Sequence, residues 1–335
     1  MCNRLLAFFY LFLSAMVFTS SAYADIANDP LPSWNDGGIK QSIIQFVKAV
    51  ADKSSPDYVP PEERIATIDN DGTLWVEQPL YTQMIFSVTR FREMAASHPE
   101  WNKNPEIKAL LVKDNKDLTS QDMEKIVALV SGDISVEDFQ TVTKAWLATA
   151  ENPRFKHHYP ELVYQPMLEV LKYLHDNKFM VYIVSGGGQD FIRAFALNTY
   201  GIPSERVIGT TGKTEYTNQN NQPSLMKIPK LLFISDKAGK PEAIDLFIGK
   251  KPILAIGNSD GDRQMLEWTQ SNKRRHLMVL VHHDDAKREY AYDTQSKVGT
   301  FSQSLFDEAE KNHWQVISMK NDWKVIFPFT ANDSH

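Results

Sequence analysis

Cysteine is almost absent from this chain: of 335 residues only Cys2 carries a thiol. Beyond it there is nothing from which to build a disulfide, a thiol nucleophile or a thiolate metal site, which suits an oxidising compartment. Excess positive charge is absent too. The 36 Lys and Arg residues are outnumbered by 42 Asp and Glu, for a formal net charge of −6. With no basic run, this balance argues against sequence-independent binding of nucleic acid. Long apolar runs are also missing. The longest, Leu5 to Phe18, falls short of the roughly 20 residues a membrane-spanning helix needs. Internal repeats and low-complexity tracts do not occur either.

What the amino-terminal end does carry is an ordered address. Arg4 precedes the apolar run, and the small-residue pattern Ala22-Tyr23-Ala24 follows it. This order reads as a secretory signal peptide over residues 1–24, cleaved after Ala24, and predicts a periplasmic or secreted protein beginning at Asp25. An uncleaved anchor is disfavoured by the shortness of the run. Cys2 lies on the wrong side of it to be a lipid-attachment site. With the segment removed, no membrane association is expected. The remaining composition, 42% hydrophobic and 23% charged overall, is that of an ordinary globular protein.

Ile39, Ile43, Phe46, Val47 and Val50 recur at helical spacing. After a Pro-rich loop (Pro56, Pro60, Pro61), Ile65 to Asp69 reads as a buried strand closed by a tight Asp-Gly turn. From Pro79 to Pro160 no second convincing strand appears. The segment is rich in helix formers, with starts at Thr119-Ser120 and Ser135, and reads as a helical insertion. Strands at Met180–Val184, Ile253–Gly257 and Leu277–His282 then alternate with helices at Asp190–Tyr200, Asp262–Trp268 and Ser304–Lys311. Polar residues from Gly212 to Gln222 read as a hairpin or exposed loop. The alternation predicts an α/β fold with a doubly wound parallel sheet. Its core takes in residues 25–78 and 160–335, interrupted by helices over 79–159. In such folds ligands lie outside the carboxyl ends of the strands, and Asp69, Asp71, Ser185 and Asn258 all stand at such ends.

Asp69 and Asp71, two apart at the end of a strand, present two carboxylates to one place. Their mutual repulsion calls for a cation, and Mg²⁺ prefers oxygen ligands of this kind. Ser185 followed by Gly186-Gly187-Gly188 offers a hydroxyl and exposed N–H groups as an anion cradle. Lys240, or second to it Lys237, stands at a helix start, where a cation is unfavourable unless an anion is near. Ile256-Gly257-Asn258-Ser259-Asp260-Gly261-Asp262 is again a strand, a turn and a helix, rich in oxygen ligands.

These four segments, in this order, resemble the motifs of the haloacid dehalogenase-like superfamily, and most closely those of its phosphoserine-phosphatase-like members. The likeness runs from about Arg64 to His283, and the insertion lies where that superfamily carries a helical cap. The resemblance implies a Mg²⁺-dependent phosphatase acting on a small-molecule phosphate monoester. Asp69 would be the nucleophile and form a phosphoryl-aspartate. Asp71 would be the general acid and base. Ser185 and the Gly186 N–H would hold a phosphoryl oxygen, and Lys240 would neutralise charge. The metal would bind Asp69, Asp71 through its backbone carbonyl, and a ligand from Asn258 or Asp262. The fourth motif departs from the pattern, because Asn258 stands where an Asp is usual. Asp260 is an extra carboxylate there. A phosphotransferase or phosphomutase of the same fold, or a catalytically silent binding module, are the alternatives.

Other residues are weaker candidates. Trp75, Glu77 and Gln78, on the way into the cap, would either meet the substrate or pack a hinge. Arg90 and Arg92 would either recognise a substrate carboxylate or form a solvated helix face. His282, His283, Asp284 and Asp285 end a strand, and their alternation favours a rim or structural role over a metal site.

Overall fold

The computed structural model describes residues 29–330, so the segment read as a signal peptide lies outside the described residues. The chain begins with α1 (Gly38–Ala51), whose Ile43, Phe46, Val47 and Val50 are buried. β1 (Ile65–Ile68) follows, buried along its whole length. The insertion then supplies α2 (Thr82–Met94), α3 (Pro105–Val112), α4 (Ser120–Ser131), β2 (Ile134–Ser135) and α5 (Val136–Leu147). Next come α6 (Gln165–Asp176), β3 (Met180–Gly188), α7 (Gln189–Arg193), α8 (Ala196–Tyr200), β4 (Val207–Gln219) and β5 (Gln222–Phe233). The chain ends with α9 (Gly239–Ile248), β6 (Leu254–Gly257), α10 (Arg263–Gln270), β7 (Leu277–His282), α11 (Gln303–Lys311), β8 (Gln315–Ser318) and α12 (Met319–Asp322).

The sheet runs β2-β5-β4-β3-β1-β6-β7-β8, and the ladders from β4 across to β8 are parallel. From β1 the chain winds outward through β3 and β4, then returns to the other side of β1 as β6. The carboxyl end of β1 is therefore the topological switch point, where a crevice opens between diverging connections. Alternation along the strands divides the core in two. Val279 and Val281 pack into a cluster with residues of α1 and α6, while Met278 and Leu280 pack with residues of α9, α10 and α11 on the other face. A third cluster, with Val88, Phe91, Trp101, Ile126 and Val130, lies within the insertion.

Both helix starts read from the insertion hold. Thr119 caps α4 in a reciprocal box with Asp122, and Ser135 caps α5 by accepting from the Asp138 N–H. Two readings need correction, and a third resolves to one of its two alternatives, the hairpin. The insertion is not wholly helical, because Ile134 and Ser135 pair with Lys227 and Met226 of β5. Residues 190–200 are not one helix. The chain breaks at Phe195, whose ring stacks on Trp75 with centroids 4.5 Å apart, so tertiary packing overrides helix propensity. The polar stretch 212–222 is the far part of a long hairpin, in which β4 leaves the parallel core and pairs antiparallel with β5. Asn220 and Asn221 form its tip, both at positive φ (53° and 59°), as a two-residue hairpin turn of the favoured twist requires.

Candidate active site

Asp69 follows β1 directly, and its N–H donates to the Ile256 carbonyl of β6 at 2.9 Å. The β1 ladder thus fixes the carboxylate's position. From the other side of the sheet, Lys240 enters at the start of α9, fully buried. Its Nζ donates to Asp69 Oδ1 at 2.7 Å, to Asp262 Oδ1 at 2.6 Å and to the Val184 carbonyl at 2.9 Å. One ammonium therefore ties together Val184 within β3 and the carboxylates that follow β1 and β6. Lys237, the second choice, is exposed in the preceding turn and is not part of this knot.

Asp71 points into the same pocket, and its Oδ1 accepts from the Trp75 indole N–H at 2.8 Å. Ser185 is buried and its Oγ accepts from the Gly187 N–H at 3.0 Å. A Cβ built on Gly187 would stand 3.3 Å from both Asp71 Oδ2 and Ser185 Oγ. Gly187 thus lies between the two, and the third and first strands face each other across one small space. The Gly186 carbonyl accepts from the Thr210 hydroxyl at 2.7 Å, and the Gly188 N–H donates to Gln83 Oε1 of α2 at 2.6 Å. The glycine run is held from β4 and from the insertion at once.

Asn258 ends β6. Its Nδ2 donates to Glu77 Oε1 at 2.7 Å, and its Oδ1 accepts from the Thr73 hydroxyl at 3.1 Å. Asp262 is more committed than its spacing suggested. Oδ1 is on Lys240, while Oδ2 accepts from the N–H groups of Asn258 (3.0 Å) and Ser259 (3.1 Å). Asp260 is drawn away to Ser302 and Arg263.

Burial dominates the electrostatics. The Asp69 carboxyl is pushed up to about 8, by burial first and by Asp262 next, against the pull of Lys240. Burial also raises Asp71, although the Trp75 N–H opposes the shift. Glu77 is raised well above the usual range by burial, with Asp71 and Asp69 adding to it. Burial would lower Lys240, but Asp262 and Asp69 outweigh it and the net shift is upward. Asp69 and Asp262 share one lysine, with the buried Glu77 and the half-buried Asp71 close by, a charge balance that calls for protons or a further cation. Oxygen donors of this kind suit Mg²⁺. Among the described residues no three His, Cys, Asp or Glu side chains form a metal cage by themselves, so backbone and amide oxygens would have to complete one.

Residues 66–267 match the haloacid dehalogenase-like hydrolase family. The chain belongs to the haloacid dehalogenase-like hydrolases. No protein of curated function matches this hydrolase. A conserved protein of unknown function from Anaerococcus prevotii superposes on it with a TM-score of 0.56 at 15% identity, over 86% of this chain and 94% of that one. A protein of unknown function from Bordetella pertussis gives 0.49 at 14%, over 77% and 99%. A phosphoserine phosphohydrolase-like protein from Francisella tularensis gives 0.41 at 15%, over 76% and 94%. The first of these shows a shared fold for the hydrolase.

Three weaker candidates fall away from the hydrolase's pocket. Arg90 and Arg92 bond the carbonyls of Val130 and Lys113 within the insertion. Gln78 ties the entry to the insertion to Ser296 and Val298. The strand-end histidines separate as alternation requires. His282 packs on Phe301 and Phe306, while His283 turns inward and stacks on Tyr292. Asp284 binds Ser318 and Lys320, and Asp285 binds Arg288. Two residues of the site escaped the sequence reading. Glu289 Oε2 lies 3.1 Å from His283 Nδ1, and Nε2 of the same ring lies 2.7 Å from the Gly72 carbonyl. Tyr292 donates its hydroxyl to Glu77 at 2.7 Å. Both lie on an irregular segment with no strand or helix pattern to mark them.

Proposed function

We propose that this hydrolase is an exported, Mg²⁺-dependent phosphomonoesterase that passes through a phosphoryl-aspartate on Asp69. The observation that carries the reading is the position of Lys240 Nζ, 2.7 Å from Asp69 and 2.6 Å from Asp262. It places a fixed positive charge beside a carboxylate at the switch point, with Asp71 and Ser185 across the same space.

In this reading an oxygen of Asp69 attacks phosphorus and the bond from phosphorus to the ester oxygen breaks. Asp71, whose carboxyl burial raises, gives a proton to the departing oxygen. Ser185 and the Gly186 N–H hold the phosphoryl oxygens, and Lys240 offsets their charge. Asp71, now a carboxylate, takes a proton from water as that water attacks the phosphoryl-aspartate. Inorganic phosphate leaves and Asp69 is restored. Mg²⁺, when bound, would neutralise the charge that nucleophile and phosphoryl group share. The Asp69 carboxylate, the Asp71 backbone carbonyl and the Asn258 side-chain oxygen would hold it. Asp262 is assigned instead to anchoring Lys240 and the turn after β6.

The test is turnover of p-nitrophenyl phosphate and a panel of small phosphate monoesters by the mature protein, with and without Mg²⁺. Undiminished turnover after exhaustive EDTA treatment and dialysis would rule out the metal-dependent route. Phosphate appearing on an added alcohol rather than in water would favour a phosphotransferase. Export has its own check. The intact mass of protein recovered from the producing host should correspond to a chain beginning at Asp25.

A further inference from the structure

The amide at position 258 stands where related motifs carry a carboxylate, and it is not alone. Its Nδ2 donates to Glu77 Oε1 at 2.7 Å, and the Tyr292 hydroxyl donates to the same oxygen at 2.7 Å. Both side chains are fully buried. Glu77 arrives there because residues 74–76 run antiparallel to 162–164, bonded from the Val76 N–H to Leu162 and from the Tyr164 N–H to Leu74. The chain keeps room for it. A Cβ on Gly72 would lie 2.3 Å from Glu77 Oε1, and one on Gly299 would lie 1.8 Å from it. Both glycines have positive φ, 73° and 64°, which larger residues resist. A carboxylate enclosed in this way between two glycines, one of them inside the Asp71-Gly72 turn, is a built feature of the pocket.

We infer that Glu77 and Asn258 act as a pair to do what a single aspartate does elsewhere at this position. This rests on the Mg²⁺-dependent reading above. By accepting from Nδ2, Glu77 fixes which end of the amide is oxygen and turns Oδ1 to the side that Thr73 also contacts. A carboxylate on the N–H side of an amide draws the proton and leaves more negative charge on the carbonyl oxygen. The neutral ligand is thereby oriented and strengthened as a donor to a hard cation. Glu77 is thus a positioning residue that works through Asn258.

The pairing has a reciprocal signature. In Glu77→Gln the carboxyl acceptor that orients the amide is replaced by a second amide. In Asn258→Asp two carboxylates face each other at hydrogen-bond distance. In the double variant Glu77→Gln/Asn258→Asp the bond is remade in the opposite sense, amide to carboxylate, with the same total charge. The measurement is Mg²⁺ affinity by isothermal titration calorimetry on the substrate-free mature protein, with Mn²⁺ binding followed by electron paramagnetic resonance as a second readout. Glu77→Gln should weaken Mg²⁺ binding about 10–100-fold, the range for residues that orient a metal ligand. Asn258→Asp alone should bind no more tightly than wild type, and the double variant should recover to within about 3-fold of it. If Glu77→Gln does not fold, the comparison of Asn258→Asp, the double variant and wild type carries the same information. Unchanged affinity in Glu77→Gln, tighter binding in Asn258→Asp alone, or a double variant weaker than both singles would each overturn the pairing. A wild-type protein that binds no Mg²⁺ and hydrolyses no ester would instead overturn the phosphatase reading on which it rests.

Discussion

The indole of Trp75 donates its N–H to Asp71 Oδ1 at 2.8 Å, so the residue assigned as acid and base is held by a neutral donor four positions along its own chain. That bond favours the carboxylate, against the burial that raises Asp71. Trp75→Phe removes the donor and should raise the Asp71 pKa further. Attack of water requires Asp71 ionised, so the acid-side limb of the kcat–pH profile should move to higher pH. A net hydrogen bond of about 1 kcal/mol corresponds to a shift of roughly 0.7 unit. A limb that stays put or moves down would remove Trp75 from this role.

The two aspartates of the first motif should fail differently. Asp69→Asn should leave essentially no turnover. Asp71→Asn, given p-nitrophenyl phosphate, should release a burst of nitrophenolate, because that leaving group scarcely needs a proton. Water attack then lacks a base worth about 10²–10⁴-fold, so phosphorylated protein should accumulate and lose its label in hydroxylamine. A label on serine or histidine, or normal steady turnover, would reassign the roles.

Metal-free protein should become less stable as pH rises. In the fold Asp69 keeps its proton up to about pH 8, whereas an unfolded aspartate releases it near 4. Between those values the native state binds more protons than the unfolded one, so its stability falls with rising pH. In EDTA the Tm should decline from pH 5 to pH 8, and Asp69→Asn should flatten part of that decline. Added Mg²⁺ should raise the Tm more at pH 8, where it need not displace the proton. An equal Mg²⁺ effect at both values would contradict the assignment.

His283 is predicted to hold the Asp71-Gly72 turn through its 2.7 Å bond to the Gly72 carbonyl. His283→Ala leaves that carbonyl without its partner in a dry interior, while Glu289 keeps the Tyr290 N–H and the Tyr164 hydroxyl. Urea denaturation should therefore show a loss of about 1–3 kcal/mol, the cost of one buried unpaired group. A loss under roughly 0.5 kcal/mol would show that His283 does not support the turn.

The parallel core was legible because buried strands such as Ile65–Ile68 and Leu277–His282 write their burial directly into composition. Asp69, Asp71, Ser185 and Lys240 were legible because each sits next to such a strand or opens a helix. The hairpin was legible only as one of two alternatives, because its outer residues face solvent and carry the polar composition of a loop. The division of labour between Asn258 and Asp262 hid for a different reason. Spacing offers both as metal ligands, but only the contacts reveal that Asp262 is taken by Lys240 and Asn258 by Glu77. Glu289 and Tyr292 come from a segment without periodicity, and there spacing gives no purchase.

The two-residue strand β2 has a consequence for anyone recombining this protein. Ile134 and Ser135 are hydrogen-bonded to β5 of the hairpin, and the buried Lys227 of β5 pairs with Asp190 and lies over the ring of Phe139. The insertion is therefore joined into one structural unit with a second stretch of sequence, 79–159 with 207–233. A chimaera that grafts the first stretch alone onto a related core would strand a buried lysine and cut a sheet. The unit of exchange is the pair of stretches, and transplanted specificity should follow only when both travel together.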